Sequence, residues 1–328
     1  MNAVMLSSRA FPFLILLPLI VLLCTGCATI EQLSCGGHPE APQQNYPSEK
    51  LQSCLGKDPI TYEVGSKQVQ HNVYCIGSGR SKPPVILLHE LTGLSAKTLK
   101  YAETLSSDFT VYVPVLFGEV NQDSIVRGTA AFLLNGEWGW PLAGSDLDGN
   151  TPIIKWLRHL VARIEDEHKG EPIGVIGNCV TGSIPLLLLT SKQVRAIVLA
   201  QPTYPIRFFR YSADDRSSLG ISKSELANAK KIVNEENMQI YGVRFENDCL
   251  SHSEKRDTLT AEFGARYLDA SISTSEYMTS DHCQAKDCSK AHSTLIGDWK
   301  DKNSPSQSRR EEVVEYLKNP STFNRDLR

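Results

Sequence analysis

Short apolar segments alternate with helical patterns along most of this chain, and that alternation restricts the fold more than any other feature. Val85-Ile86-Leu87-Leu88, the FTVYVPV run from Phe109 to Val115, Ile173-Gly174-Val175-Ile176, Ala196 to Ala200 and the segment 240–245 are all too brief for helices and too apolar for exposed strands. Such runs suit strands buried on both faces. Between them lie helical patterns at 95–107, 152–168, 184–189, 222–236, 253–263 and 309–318. The second starts at Thr151-Pro152, where proline is tolerated, and repeats Ile154, Leu157, Leu160, Val161 and Ile164 at helical spacing. ITYEV and QVQHNVYCI read as two strands joined at Gly65-Ser66. A further strand is expected near 266–272. The stretch 118–150 reads as irregular. These elements predict an α/β fold, a mainly parallel twisted sheet with helices on both faces, with no domain boundary after residue 58.

The chain has 328 residues, with 34 Lys+Arg against 37 Asp+Glu and a formal net charge of −3. That balance argues against nucleic acid as a partner. Nine cysteines need explaining. Arg9 precedes an apolar run from Phe11 to Leu23, which suits a signal-peptide core and falls short of the roughly 20 residues that span a bilayer. Leu22-Leu23-Cys24-Thr25-Gly26-Cys27 then resembles the lipobox of bacterial lipoproteins, with Cys24 where leucine is usual. The resemblance implies cleavage before Cys27, a lipid on that residue, and a place in the bacterial envelope. Ala28, which is not aspartate, points in such lipoproteins to outer-membrane sorting. The expected organisation is therefore a signal peptide over 1–26, a tether over 27–58 and a catalytic domain over 59–328. Plain secretion is the simpler alternative.

The chemistry concentrates in Ile173 to Gly182, IGVIGNCVTG. A strand, a tight turn and a helix place Cys179 at the apex, the geometry of a nucleophile elbow with cysteine in place of serine. A helix N-terminus favours the thiolate, and the Val180 N–H follows the nucleophile where an oxyanion forms. A buried structural cysteine is the plainer reading. Asp248 follows the 240–245 strand, 69 residues after Cys179, and His292 comes 44 residues later. Nucleophile, acid, histidine is the chain order of α/β-hydrolases. His252 and His282 compete with His292; Asp257, Asp281 and Asp298 are fallback acids. His89-Glu90-Leu91-Thr92-Gly93 ends another strand, and its Leu91 N–H is the expected second oxyanion donor.

Together HELTGL, GNCVTG, the Asp248 strand end and AHS resemble the dienelactone hydrolase family of the α/β-hydrolase fold, from about residue 60 to 318. The resemblance implies Cys179 as nucleophile, His292 as general base and acid, Asp248 as its orienter, and Glu90 as a group that helps deprotonate the thiol. Two positions depart from the family. Thr181 stands where glycine is usual, and Ile296 stands where an arginine binds the substrate carboxylate.

The activity so implied is hydrolysis of a small-molecule ester or lactone through a thioester, with no cofactor and no metal. Arg127 is a candidate anion anchor, and Trp138 and Trp140 are candidates to line the pocket. A non-catalytic, surface-tethered binding lipoprotein on the same fold is the alternative. A thiol redox protein is weaker, since Cys24 and Cys27, the one C-x-x-C pair, lie in the export signal. With Cys24 removed, Cys27 lipidated and Cys179 free, six cysteines remain to pair, Cys35 with Cys54 and Cys283 with Cys288 being the local choices.

Overall fold

A computed structural model of the chain describes residues 45–53, 55–56, 59–77, 81–139, 145–206, 212–273, 275–276, 292–297 and 304–325. The signal peptide, Cys27, Trp140, His282, Asp281, Asp298 and the cysteines at 35, 54, 283 and 288 lie outside them.

Among the described residues the main sheet has eight strands: β1 (Gln52–Ser53), β4 (Val73–Ile76), β5 (Pro84–Leu87), β6 (Thr110–Pro114), β7 (Ile173–Asn178), β8 (Val194–Ala200), β9 (Ile240–Val243) and β10 (Tyr267–Asp269). Their spatial order is β1-β4-β6-β5-β7-β8-β9-β10. The first two pairings, β1 with β4 and β4 with β6, are antiparallel, and every later one is parallel. This is the α/β-hydrolase fold. A separate hairpin, β2 (Ile60–Val64) and β3 (Lys67–His71), turns at Gly65 as the sequence indicates, but Asn72 breaks the second expected strand and sends β4 into the main sheet. The sheet also begins at Gln52, so the domain takes in part of the stretch expected to be tether.

The apolar runs explain the layering. Along β5 and its end, alternate side chains point to opposite faces. Val85 and Leu87 join one core, with Val111, Val113, Ile176 and Val198; Ile86 and Leu88 join the other, with Tyr112, Val175 and Ile197. The first core is covered by α1 (Ala96–Leu105) and, near the C-terminus, by α8 (Pro305–Lys318), through Leu99, Leu105, Val313 and Tyr316. The second is covered by α3 (Pro152–His168), α4 (Ile184–Leu188), α6 (Lys223–Glu235) and α7 (Ser253–Phe263). A short helix, α5 (Ala213–Ser217), lies between α4 and α6 in sequence.

A further difference lies in the stretch 118–150. The region read as irregular holds α2 (Ile125–Leu134). Its sequence, IVRGTAAFLL, buries Gly128 and Phe132 and leaves Val126, Arg127, Ala130 and Leu134 exposed. No helix among the described residues is long and apolar enough to cross a membrane.

Trp156 on α3 joins the hairpin to this framework. It is fully buried, packs edge-on against His71 of β3, and its Nε1 donates to the Ile60 carbonyl at 2.9 Å. Trp156→Ala removes that bond and leaves a large cavity. We expect it to destabilise the fold by about 3–5 kcal/mol, measured by denaturant unfolding.

Candidate active site

The strand β7 ends in a left-handed residue. Cys179 has φ +55°, unusual for a residue with a Cβ, and begins a single turn of 3-10 helix. The turn is closed by side chains of its own segment. Thr181 Oγ1 accepts from the Asn178 N–H at 2.9 Å and lies 3.1 Å from the His89 carbonyl and 2.9 Å from the Asn178 carbonyl, to either of which it can donate. Asn178 Nδ2 donates to the Leu88 carbonyl at 2.9 Å. The elbow is thereby tied to the end of β5. Thr181, the departure from the family pattern, is the residue that makes the tie. Two glycines leave room for it: a Cβ on Gly177 would lie 2.3 Å from the Thr181 carbonyl oxygen, and one on Gly182 would lie 2.6 Å from Pro202 Cα.

The acid and histidine meet as the sequence indicates. Asp248 Oδ2 accepts from His292 Nδ1 at 2.7 Å, while Oδ1 accepts from the Leu250 and Ser251 N–H groups at 2.8 and 2.9 Å. With Nδ1 donating to a carboxylate, Nε2 is the nitrogen that faces reaction. It is buried, and the Cys179 sulfur lies close enough to His292 to support charge on the ring. Burial opposes charge on His292, but Asp248 and the nearby Cys179 sulfur outweigh it and raise the imidazole well above the usual histidine range. Cys179 is 5% exposed and free, and its Sγ accepts from Thr203 Oγ1 at 3.3 Å.

Arg244 steadies the acid loop, donating from Nε to the Ser251 carbonyl at 2.9 Å and from Nη2 to the Glu246 carbonyl at 3.1 Å. Cys249, next to Asp248, and Cys75 on β4 are each in a disulfide.

His89 orients the peptide that links Glu90 to Leu91. The Leu116 N–H donates to its Nε2 at 3.0 Å, so the ring proton sits on Nδ1, which donates to the Glu90 carbonyl at 2.9 Å. Burial pushes the pKa of His89 down to about 4, which keeps the ring neutral. The Glu90 carbonyl also accepts from Gly93 N at 3.0 Å. A trans peptide points its N–H opposite its carbonyl. Holding the Glu90 oxygen from two sides therefore directs the Leu91 N–H the other way. The Leu91 carbonyl is seated against α2, where a Cβ on Gly128 would lie 1.9 Å from it.

Glu90 is buried, and burial raises its carboxyl above the ordinary range. Its Oε1 accepts from Gln201 Nε2 at 2.9 Å and from Ser293 Oγ at 2.7 Å. Gln201 Oε1 accepts in turn from the Thr294 N–H at 3.2 Å and from the Thr294 hydroxyl. Through these bonds the Glu90 carboxyl joins the ends of β5 and β8 to the histidine loop, with His292 close enough to act on its charge. Gln201, Thr203 and Ser293 were not singled out from the sequence. Their signal was position: Gln201-Pro202-Thr203 directly follows the AIVLA strand, and parallel sheets gather their sites at the C-terminal ends of strands.

Arg127 is exposed on α2 and forms no ion pair among the described residues. Trp138 is 1% exposed and packs against Phe117 and Phe132, filling the core beneath α2. His252 stands at the N-cap position of α7 and Asp257 pairs with Arg256 in solvent, whereas it is His292 and Asp248 that pair with each other. No group of three or more metal-ligating side chains occurs among the described residues.

Thr181→Val keeps the shape of the elbow but removes its hydroxyl, stranding the Asn178 N–H. We expect a loss of about 1–3 kcal/mol in stability and a lower kcat on ester substrates with little change in KM, read by denaturation and steady-state kinetics.

No family model and no curated protein matches the sequence. Similar solved structures include one described as a dienelactone hydrolase from Klebsiella pneumoniae, at 12% identity and a TM-score of 0.47, covering 79% of this chain and 98% of that one. A dienelactone hydrolase-like promiscuous phosphotriesterase from metagenomic libraries has 14% identity and a TM-score of 0.46, covering 80% and 97%. An esterase from Pyrococcus furiosus has 14% identity and a TM-score of 0.47, covering 87% and 100%.

Proposed function

We propose that this protein is an ester or lactone hydrolase that works through a thioester on Cys179, held at the bacterial envelope by a lipid on Cys27. The observation that carries the catalytic reading is a free thiol in a left-handed elbow beside a histidine that a buried aspartate orients.

The steps follow from that arrangement. His292 Nε2 takes the thiol proton, and the Asp248 carboxylate stabilises the imidazolium so formed. The sulfur attacks the ester carbon, and the carbonyl electron pair moves onto oxygen. That oxyanion sits between the Leu91 and Val180 N–H groups, each worth roughly 3–4 kcal/mol in such sites. When the tetrahedral species collapses, the C–O bond breaks and His292 protonates the departing alkoxide. Water then gives a proton to His292 as it attacks the thioester, and the thiolate leaves as the acid is released. Glu90 acts here as a positioning residue, tying the Leu91 loop to the histidine loop through Gln201 and Ser293. An acyl thioester forms readily from an activated ester and poorly from an amide, so esters and lactones are the substrate class.

The export reading rests on the lipobox-like Cys27 and the apolar run before it. The mass of the mature chain checks it: a diacylglyceryl-modified Cys27 supports it, and an unmodified N-terminus elsewhere overturns it.

For catalysis, we expect the wild type to turn over a p-nitrophenyl ester and to carry one acyl group on Cys179 after rapid quenching, seen by peptide mass spectrometry. Cys179→Ala should lose both signals. Equal hydrolysis by the two proteins removes the enzyme reading and leaves a binding lipoprotein.

His292 also predicts a pH dependence. A histidine whose pKa is higher folded than unfolded adds stability below its unfolded value, near 6.5, and loses it as pH rises through the folded value. Wild-type stability should therefore decline on the alkaline side of neutrality. Asp248→Asn removes the largest of the influences that raise the pKa and should flatten that decline while moving the His292 imidazole NMR titration to lower pH. An unchanged titration midpoint would count against the Asp248–His292 pairing.

A further inference from the structure

Thr203 stands against the sulfur of the nucleophile, and the reaction steps give it no part. Its Oγ1 lies 3.3 Å from Cys179 Sγ and 3.1 Å from the Gln201 carbonyl oxygen. Its N–H donates to the Cys179 carbonyl at 3.0 Å. Main chain and side chain of Thr203 thus grip the same residue. Thr203 is 7% and Cys179 5% exposed, so water hardly competes for either group. The loop that carries Thr203 is itself fixed on both sides. Pro202 packs so closely on the elbow that a Cβ on Gly182 would lie 2.6 Å from its Cα, and the buried Lys255 Nζ donates to the Tyr204 carbonyl at 3.0 Å.

A hydroxyl has one proton to give, and here two acceptors stand within its reach. The stronger of the two changes during the reaction. A thiolate is charged and accepts more strongly than a neutral carbonyl. An acylated sulfur has given up that charge and accepts weakly, as a thioether does. The proton therefore turns to Sγ when the sulfur is charged and to the Gln201 carbonyl when it is acylated. In neither state is the buried hydroxyl left unpaired, so the turn costs no desolvation. A threonine that only closed its own loop would need the Gln201 carbonyl and not the sulfur.

We propose that Thr203 is a catalytic residue that serves the sulfur as a leaving group, its hydroxyl donating to the charge that returns to Sγ when the acyl-enzyme is hydrolysed. This rests on the reading of Cys179 as an acyl-carrying nucleophile. In that step water has added to the thioester and left a proton on His292. The oxyanion pair folds back to remake the carbonyl, the C–S bond breaks, and its electron pair goes to sulfur. The hydroxyl proton stays on Thr203 throughout and only turns. The protonated His292 is the other donor to the same sulfur. During acylation the hydroxyl acts in two opposed ways: it favours the thiolate, and it makes that thiolate a weaker nucleophile, with a Brønsted slope of about 0.4–0.5. Acylation therefore depends on Thr203 less than deacylation does.

The test uses p-nitrophenyl acetate, an activated ester whose acyl-enzyme accumulates because its hydrolysis is slow. Thr203→Val keeps the shape and the backbone N–H of the full chain but removes the hydroxyl; Thr203→Ser keeps the hydroxyl. The acetyl-enzyme is desalted rapidly, and loss of the acetyl group from Cys179 is followed by mass spectrometry. Thr203→Val should lose it about tenfold more slowly than the wild type and Thr203→Ser within about twofold of the wild-type rate, as for a hydrogen bond to a charged group. In the steady state kcat and KM of Thr203→Val should fall together, with kcat/KM kept within about threefold, because deacylation does not enter that ratio. A loosened loop does the reverse, raising KM and lowering kcat/KM. Equal deacylation by wild type and Thr203→Val overturns the proposal, as does a loss confined to kcat/KM or a Thr203→Ser as slow as Thr203→Val. Thr203→Ala guards against a packing fault in the valine variant, and failure of both to accept an acetyl group also overturns the assignment to the departing sulfur. A wild type with no acetyl group on Cys179 is a different result: it removes the thioester reading itself, and the role of Thr203 with it.

Discussion

The left-handed backbone at Cys179 is the constraint around which the site is built. A residue with a Cβ in that region costs on the order of 1–3 kcal/mol and persists only where its surroundings hold it. Here they do so from both sides of the turn. Asn178 and Thr181 cap it, Gly177 and Gly182 leave the space it needs, and bonds to the Leu88 and His89 carbonyls fasten it to the neighbouring strand. The same bonds place the loop after β5 beside the sulfur. The elbow and the loop after β5 are therefore fastened into one unit.

Buried polar groups around that unit are paired in a fixed order, so each carries a direction as well as an energy. His89 is neutral because it is buried, and its tautomer is set because a backbone N–H occupies Nε2. That tautomer orients the Glu90–Leu91 peptide. Glu90, Gln201, Ser293 and Thr294 then link three loops that are distant in sequence. Unpaired, any of these groups would carry the desolvation cost of burial. Paired, they hold the Glu90–Leu91 peptide and the His292 loop in register.

The helix α2 couples this interior to the outside. Its inner side is shaped by a glycine that lets it approach the Leu91 carbonyl, and its outer side carries apolar residues into solvent. Both sides share ten residues, so whatever covers the outer side bears on the same element that packs against the oxyanion loop.

The order of strands and helices was readable from local pattern, because buried parallel strands need continuous apolar runs and covering helices need a two-faced repeat. The elbow, the acid and the histidine were readable for a related reason: each directly follows a strand or occupies its expected place in the chain order. Three things required the folded chain. The helix α2 lies in a stretch that reads as irregular, and its packing against Phe117, Trp138 and Leu91 defines it. Thr181 looked like a departure from a family pattern, and only proximity to the His89 carbonyl shows it as a tie. The Glu90–Gln201–Ser293 linkage joins residues 90, 201 and 293, a separation across which no sequence spacing carries information. Local propensity writes the elements and their ends; the meeting of those ends is a property of tertiary packing.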